Sequence, residues 1–386
     1  MITRIYKKSD IDSNSSGRAW VLYGPRRAGK TCLIETLLKN FPGKIFKCVG
    51  EDAVIRELLE SDSVVRIQDY FGSYDIVFID EAQKIDRIGQ GLKLLVDHCK
   101  NTRVIVTGSS SFMLAQKVGE PLTGRKRTSI LYPLSILELR DAWGGAELLR
   151  HLENLLIYGM YPDVVCAESV EARKRELIEI RNAYLLKDVL ELDSIRNSKA
   201  LSQLLTLLAF QIGNEVSMSE LGQQVGMNKK TVERYLDILE KAFVIRRVNG
   251  FSRNLRKEIS KSPRFYFYDN GVRNAVINNF APIKLRNDVG QLWENFMVME
   301  RLKFDEYTER WASIYFWRTY DQQEIDFIEE KDGVLSAYEF EWSQTQSKVP
   351  TAWAKAYPQA RFETIHRGNF LQFVTEEGKE AQVSRV

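Results

Sequence analysis

Short apolar runs alternate with helically spaced stretches over the first third of the chain. Runs at 19–23, 44–49, 75–80, 103–108 and 129–134 have the length of buried strands, and helical patterns such as 53–60 and 91–100 lie between them. Apolar runs this continuous predict a mainly parallel sheet with helices on both faces. After residue 140 the pattern becomes helical, with a break at Tyr158-Gly159-Met160-Tyr161-Pro162. Within 173–192, Leu177, Ile180, Tyr184, Leu185 and Val189 fall near one helix face, which reads as a bridge or lid rather than a site. Three further helices follow. The first is the apolar run 201–212. The second, 220–225, opens on a Ser217/Glu220 capping box and ends at Gly226. The third starts at Asn228 and spaces Val232, Leu236, Leu239 and Phe243 helically. Runs 244–248 and 264–268 look like paired strands around a long basic loop. The last quarter offers a helix at 290–304 and alternating strands at 313–319, 324–330 and 334–342, the last two joined by a Lys331-Asp332-Gly333 turn.

A chain of 386 residues exceeds one ordinary core. The shifts in pattern divide it at 1–140, 141–195, 196–283 and 284–386. No run of eighteen apolar residues offers a membrane span, and the start Met1-Ile2-Thr3-Arg4 has no signal-peptide core. Cys32, Cys48, Cys99 and Cys166 are scattered, as expected of reduced packing residues in a cytoplasmic protein. Three widely separated histidines argue against a histidine metal site. The net charge of +3 is too small to argue a nucleic-acid partner, so local patches must carry that case.

Chemistry concentrates after the first run. Gly24-Pro25-Arg26-Arg27-Ala28-Gly29-Lys30-Thr31 fits G-x-x-x-x-G-K-[ST] between a strand and a helix, with Cys32 next in line. A glycine loop opening a helix gathers backbone N–H groups at the positive end of a helix dipole, which suits phosphates. Lys30 is expected to reach the β- and γ-phosphates of ATP, and the Thr31 hydroxyl to hold Mg²⁺. Ile76-Val77-Phe78-Ile79-Asp80-Glu81 ends a buried strand in two carboxylates at the same sheet edge. Asp80 is expected to act on Mg²⁺ through its water shell, and Glu81 to orient the attacking water. The run Val104-Ile105-Val106-Thr107-Gly108-Ser109 ends in hydroxyls. Ser109, then Thr107, reads either as a sensor of the γ-phosphate or as an N-cap for a helix at 112–116. Arg125, within Gly124-Arg125-Lys126-Arg127 ahead of the fifth strand, reads as an arginine finger acting in cis or in trans, or as a solvated loop.

The motifs GPRRAGKT, VFIDEAQKI, VTGSSSFML and GRKRTSILYPLSILEL resemble the AAA-type ATPases that carry a C-terminal domain of unknown function. The later runs PRFYFYDNGVRNAV, GQLWENFMVMERL and EIDFIEE extend the resemblance over nearly the whole chain. It implies an α/β fold: a P-loop NTPase sheet, a helical bridge, a winged-helix module and a nuclease-like tail. The helix-helix-hairpin pattern points to the winged helix as well. There Lys229, Lys230, Thr231 and Arg234, with Arg246, Arg247, Arg253, Arg256, Lys257 and Lys261 on the wing, would either contact DNA phosphates or form solvated faces of a packing block.

In the tail, Asp326 and Glu339 fall on adjoining strands and resemble the PD-(D/E)xK nuclease core, in which carboxylates hold Mg²⁺. Glu341 stands where that pattern has lysine, which favours a degenerate fold with metal affinity at most. The leading expectation is an ATP-hydrolysing switch acting on nucleic acid. Alternatives are an ATP-gated scaffold for a protein partner and a small-molecule P-loop kinase. Oligomerisation and the adenine pocket stay open.

Overall fold

The computed structural model describes residues 2–12, 17–109, 122–182, 198–252 and 262–375. Five parallel strands, β1 (Ala19–Tyr23), β2 (Ile45–Val49), β3 (Ile76–Asp80), β4 (Arg103–Gly108) and β5 (Lys126–Ile130), form a sheet in the order β2-β3-β4-β1-β5. Alternation along β1 serves two layers. Ala19, Val21 and Tyr23 enter one core, while Trp20 and Leu22 pack with Leu33, Ile34 and Leu38 of the helix Lys30–Leu38 on the other face. Each such aliphatic side chain contributes roughly 1.5–3 kcal/mol on burial.

The fifth strand lies three residues earlier than its apolar run predicts. Lys126, Arg127, Thr128 and Ser129 form an edge strand. The apolar 131–136 instead crosses beneath later parts of the chain. Leu131 N donates to Tyr23 O at 2.8 Å and Leu134 N to Met160 O at 2.8 Å. The long helix Val289–Tyr307 grips the same segment: Tyr132 N donates to Tyr307 OH (3.1 Å), Ile136 N to Glu300 (2.7 Å), and Lys303 Nζ to Leu134 O (2.9 Å). Tertiary packing therefore explains hydrophobicity that local pattern assigns to a strand.

Helices Ile136–Trp143, Gly145–Tyr158, Pro162–Val165 and Val170–Asn182 follow. The expected face beyond Asn182, with Tyr184, Leu185 and Val189, lies outside the described residues, as does the helix expected at 112–116. Helices Ser198–Phe210, Met218–Val225 and Lys229–Lys241 then pack together, the last capped by Asn228 Oδ1 on Thr231 N (2.9 Å).

Strands β6 (Ile245–Gly250) and β7 (Arg264–Phe267) pair antiparallel. They do not stand alone. With β8 (Ser313–Arg318), β9 (Glu324–Lys331), β10 (Val334–Glu341) and β11 (Arg361–His366) they form one sheet in the order β11-β10-β9-β8-β6-β7. The boundary expected at 283/284 thus runs through a hydrogen-bonded sheet, joined at Asn249↔Tyr315 and Gly250↔Phe316. One apolar core runs from Ala19 and Val21 to Phe373 and Val374. Among the described residues no helix is long and apolar enough to cross a membrane.

Candidate nucleotide site

The order β3-β4-β1 sets the ends of three strands side by side, with the 24–31 loop leaving β1. Gly24 has φ +147°, and a Cβ there would collide with the Leu131 carbonyl, so only glycine lets the loop leave the strand here. Lys30 is buried at 5 % exposure, and its Nζ donates to Gly24 O and Pro25 O at 2.9 Å each. Thr31 Oγ1 donates to Asp80 Oδ2 at 2.8 Å. Asp80 Oδ1 accepts from Thr107 Oγ1, which in turn accepts from Glu81 N at 3.2 Å.

Glu81 holds φ +52°, a left-handed conformation uncommon for a non-glycine residue. Its carboxylate accepts from Gln83 Nε2, which also donates to Ser109 Oγ at 3.1 Å. Thr107 rather than Ser109 therefore touches both carboxylate-bearing residues at the strand end. Ser109, the first expectation, sits one step back behind Gln83.

Beside the loop opens a cavity of about 530 Å³. Arg26, Arg27, Gly29, Lys30, Thr31, Cys32 and Glu81 line one end; Ile2, Tyr6, Leu33, Leu37, Leu134 and Pro162 make the rest largely apolar. Two contributors escaped the pattern. Arg4 donates through Nη2 to Tyr132 O (2.6 Å), through Nε to Glu138 Oε1 (2.8 Å) and through Nη1 to the loop's Ala28 O. A lone arginine near a chain start carries no pattern that predicts this. The second is the interruption at 158–162, expected in a bridge or lid rather than a site. Its Pro162, with Asp163 and Cys166 beyond, forms part of the wall because the chain turns back onto the loop there. Arg27 pairs with Glu176 at 2.9 Å across the same junction.

Arg125 is placed elsewhere. Its carbonyl accepts from Ala19 N at the start of β1, and its Nε pairs with Asp97 at 2.6 Å. That is the amino edge of the sheet, about 16 Å of strand from the loop at ~3.3 Å per residue. Arg125 thus stands at the edge of the sheet opposite the loop of its own chain.

The basic residues of the middle module also divide. Lys229, Lys230 and Arg234 are exposed on one helix. Arg246 lies beside Glu240 (3.8 Å) and Arg247 over the Phe265 ring (5.5 Å), and both are half-buried rather than fully exposed. Arg253, Arg256, Lys257 and Lys261 lie outside the described residues.

The tail carboxylates do gather, around a cation that the sequence did not point to. Arg264 is 4 % exposed and reaches Glu324 at 2.9 Å, Glu294 at 3.3 Å and Asp326 at 3.7 Å, over the Phe316 ring. Asp326 Oδ2 also accepts from Phe340 N at 3.0 Å, and Tyr266 OH donates to Glu294 at 2.7 Å. Burial, with Asp326 nearby, pushes Glu294 up to about 8. Burial and the neighbouring Asp326 push Glu339 upward as well. The arginine stands beside Asp326, one of the two carboxylates expected to share a divalent ion, and among the described residues no group of three His, Cys, Asp or Glu side chains could hold a metal.

Residues 16–140 match the family described as an AAA domain, and residues 289–378 match a domain of unknown function, DUF4143. The chain therefore carries an AAA domain followed, nearer its end, by a DUF4143 domain. Between them, residues 149–282 match a further domain of unknown function, DUF8612. The chain is 28 % identical over 330 residues to an uncharacterized protein of Mycobacterium tuberculosis, covering 85 % of this chain and 71 % of that one. An uncharacterized protein of Methanocaldococcus jannaschii is 25 % identical over 368 residues, covering 90 % and 80 %. Among solved structures, the Holliday junction branch migration motor RuvB of Thermotoga maritima is 15 % identical, with 66 % and 90 % coverage and a TM-score of 0.30. The AAA domain is a nucleotide-binding domain. Its donor set fits the expected ligands: hard oxygens on Thr31 and Asp80 suit Mg²⁺, and the buried Lys30 beside the loop suits a polyphosphate.

Proposed function

We infer that the protein binds ATP with Mg²⁺ and hydrolyses it, using the state of the nucleotide to bias the helices, hairpin and tail packed behind the site. The single observation that carries this reading is the chain Thr31–Asp80–Thr107–Glu81 at the mouth of a cavity that also receives Lys30. Lys30 exchanges the loop carbonyls for the β- and γ-phosphates. Thr31 and Asp80 hold Mg²⁺, which supplies charge neutralisation on the phosphates. Glu81 orients the attacking water, and Thr107 fixes both carboxylate-bearing residues in register. The apolar end of the cavity, between Tyr6, Leu37 and Pro162, takes the adenine ring.

The three helices and the hairpin act as a winged helix that offers Lys229, Lys230 and Arg234 to DNA phosphates. The tail, with Arg264 seated among its carboxylates, serves as a structural or partner-binding module without nuclease chemistry. The bond from Gln83 to Glu81 favours a second reading, an ATP-gated scaffold for a protein partner with negligible turnover until Glu81 is released. Steady-state ATP hydrolysis with and without duplex DNA separates the two. Stimulation by DNA supports the first reading, and slow turnover that DNA leaves unchanged supports the second.

A further inference from the structure

The break at 158–162 leaves backbone groups that its own helix cannot satisfy, because the last carbonyls of a helix have no intrahelical partner. Residues more than a hundred positions later satisfy them. Asn274 Nδ2 donates to Ile157 O at 2.8 Å and Leu156 O at 3.4 Å. Asp269 Oδ2 accepts from Met160 N at 2.7 Å, while its Oδ1 caps the helix Asn270–Val276 through Val272 N at 3.0 Å. The fit is close on both sides: a Cβ on Gly159 would overlap the Asp269 carboxylate, and one on Gly271 would overlap the Tyr158 carbonyl. Asp269 is 6 % exposed and sits two residues after β7 of the hairpin.

Met160 is also the residue whose carbonyl accepts from Leu134 N, and Leu134 and Pro162 both line the nucleotide cavity. One buried carboxylate thus links the end of the hairpin to two pieces of the cavity wall. No other described side chain is bonded to Met160 N.

We propose that Asp269 is a positioning residue for nucleotide binding: it sets the cavity wall at 160–163 from the middle module and links occupancy of the cavity to the order of the helix Asn270–Val276. The proposal rests on the reading of the cavity as the nucleotide site. It follows from geometry, since an acceptor that holds Met160 N fixes where Tyr161 and Pro162 turn. Linkage is reciprocal, so whatever tightens the wall also tightens the helix capped by the same carboxylate.

The test measures Mg-ATP affinity of the full chain for the parent, Asp269→Ala, Asp269→Asn and Asn295→Ala, with Lys30→Ala as a control on the underlying reading. Asn295 holds the same hairpin through Phe267 N (2.7 Å) and Phe267 O (2.9 Å) and donates to Asn270 Oδ1 (2.7 Å) at the start of the helix, without touching 158–163, so its variant reports loosening of hairpin and helix with the wall bond intact. We expect Asp269→Ala to weaken affinity at least tenfold and Asn295→Ala less than threefold. Asp269→Asn keeps one acceptor oxygen and should fall between them; it replaces the alanine variant if that chain does not fold. Hydrogen exchange should show Mg-ATP protecting amides 270–276 in the parent and not in Asp269→Ala. Parent-like affinity in both Asp269 variants, or equal weakening in the Asp269 and Asn295 variants, overturns the proposal. No affinity in the parent, or none lost in Lys30→Ala, rejects the nucleotide-site reading instead.

Discussion

Thr107 has a hydroxyl that does two things at once, donating to Asp80 and accepting from Glu81 N. Replacing it by valine keeps volume and removes both bonds, and each buried group left unpaired costs about 1–3 kcal/mol. Thr107→Val should therefore lower turnover by roughly tenfold or more, and Ser109→Ala, which touches only Gln83, should lower it less. Equal effects or the reverse order would return the sensing role to Ser109. Glu81→Gln should keep Mg-ATP affinity within about threefold while slowing hydrolysis ~100-fold. Lys30→Ala should weaken binding by roughly 10–100-fold, the worth of a charge-assisted contact. Unchanged turnover in the Glu81 variant would remove its assigned role. The loop and the Asp80-Glu81 pair were legible because strand, glycine loop and helix impose a fixed spacing. Arg4 was not, since its partners Ala28, Tyr132 and Glu138 come together only by folding.

The helix Lys229–Lys241 exposes its cations on one side, while the adjoining hairpin holds Arg246 beside Glu240 and Arg247 over the Phe265 ring. Its DNA contacts should therefore come from Lys229, Lys230 and Arg234. Changing all three to alanine should flatten the salt dependence of duplex binding by about 2–3 units of log–log slope, at ~0.9 per phosphate contact. Arg246→Ala should leave that slope unchanged. A lost slope in the Arg246 variant would place the interface on the hairpin. Local periodicity predicted these helices well, because each buries one stripe of its own residues. It failed at 131–134, where Leu131 packs with Trp20 and Ile34 beside β1 while Tyr132 and Leu134 are seated by a helix near residue 300.

At the scale of the molecule, Arg264 stands against Glu294, Glu324 and Asp326, with Glu339 bonded to Asp326 and Arg318 reaching Glu324 at 3.9 Å, so carboxyl groups outnumber the cations. Burial, reinforced by the neighbouring Asp326, favours the protonated carboxyl and pushes Glu294 up to about 8. The folded chain then holds a proton more tightly than the unfolded one. That stability is complete below the ordinary glutamate range and is lost as pH rises toward 8. Thermal midpoints should fall between pH 5 and pH 9. Glu294→Gln should flatten the fall and exceed the parent at pH 9; a parallel fall in both would place the titrating group elsewhere. Arg264→Ala leaves the carboxylates uncompensated and should cost on the order of 3–5 kcal/mol, read as a drop in unfolding midpoint. The pairing of Asp326 with Glu339 was legible from strand alternation. The arginine was not, because it arrives from β7, three strands away in the sheet.

The grip of the long helix on the end of β5 has a consequence for how the chain is made. Bonds from Glu300, Lys303 and Tyr307 to residues 132–136 span 164 to 175 positions. Synthesis proceeds at roughly 5–20 residues per second, so residue 134 leaves the ribosome about ten to thirty seconds before the side chains that seat it. During that interval Leu134 and Pro162 have no fixed place, and the cavity they line has one wall missing. The strands around the phosphate loop can pair early, but the wall at Leu134 waits for residues 300–307. With that cavity read as the nucleotide site, ligand-assisted folding of this protein follows the emergence of the long helix rather than that of the AAA domain.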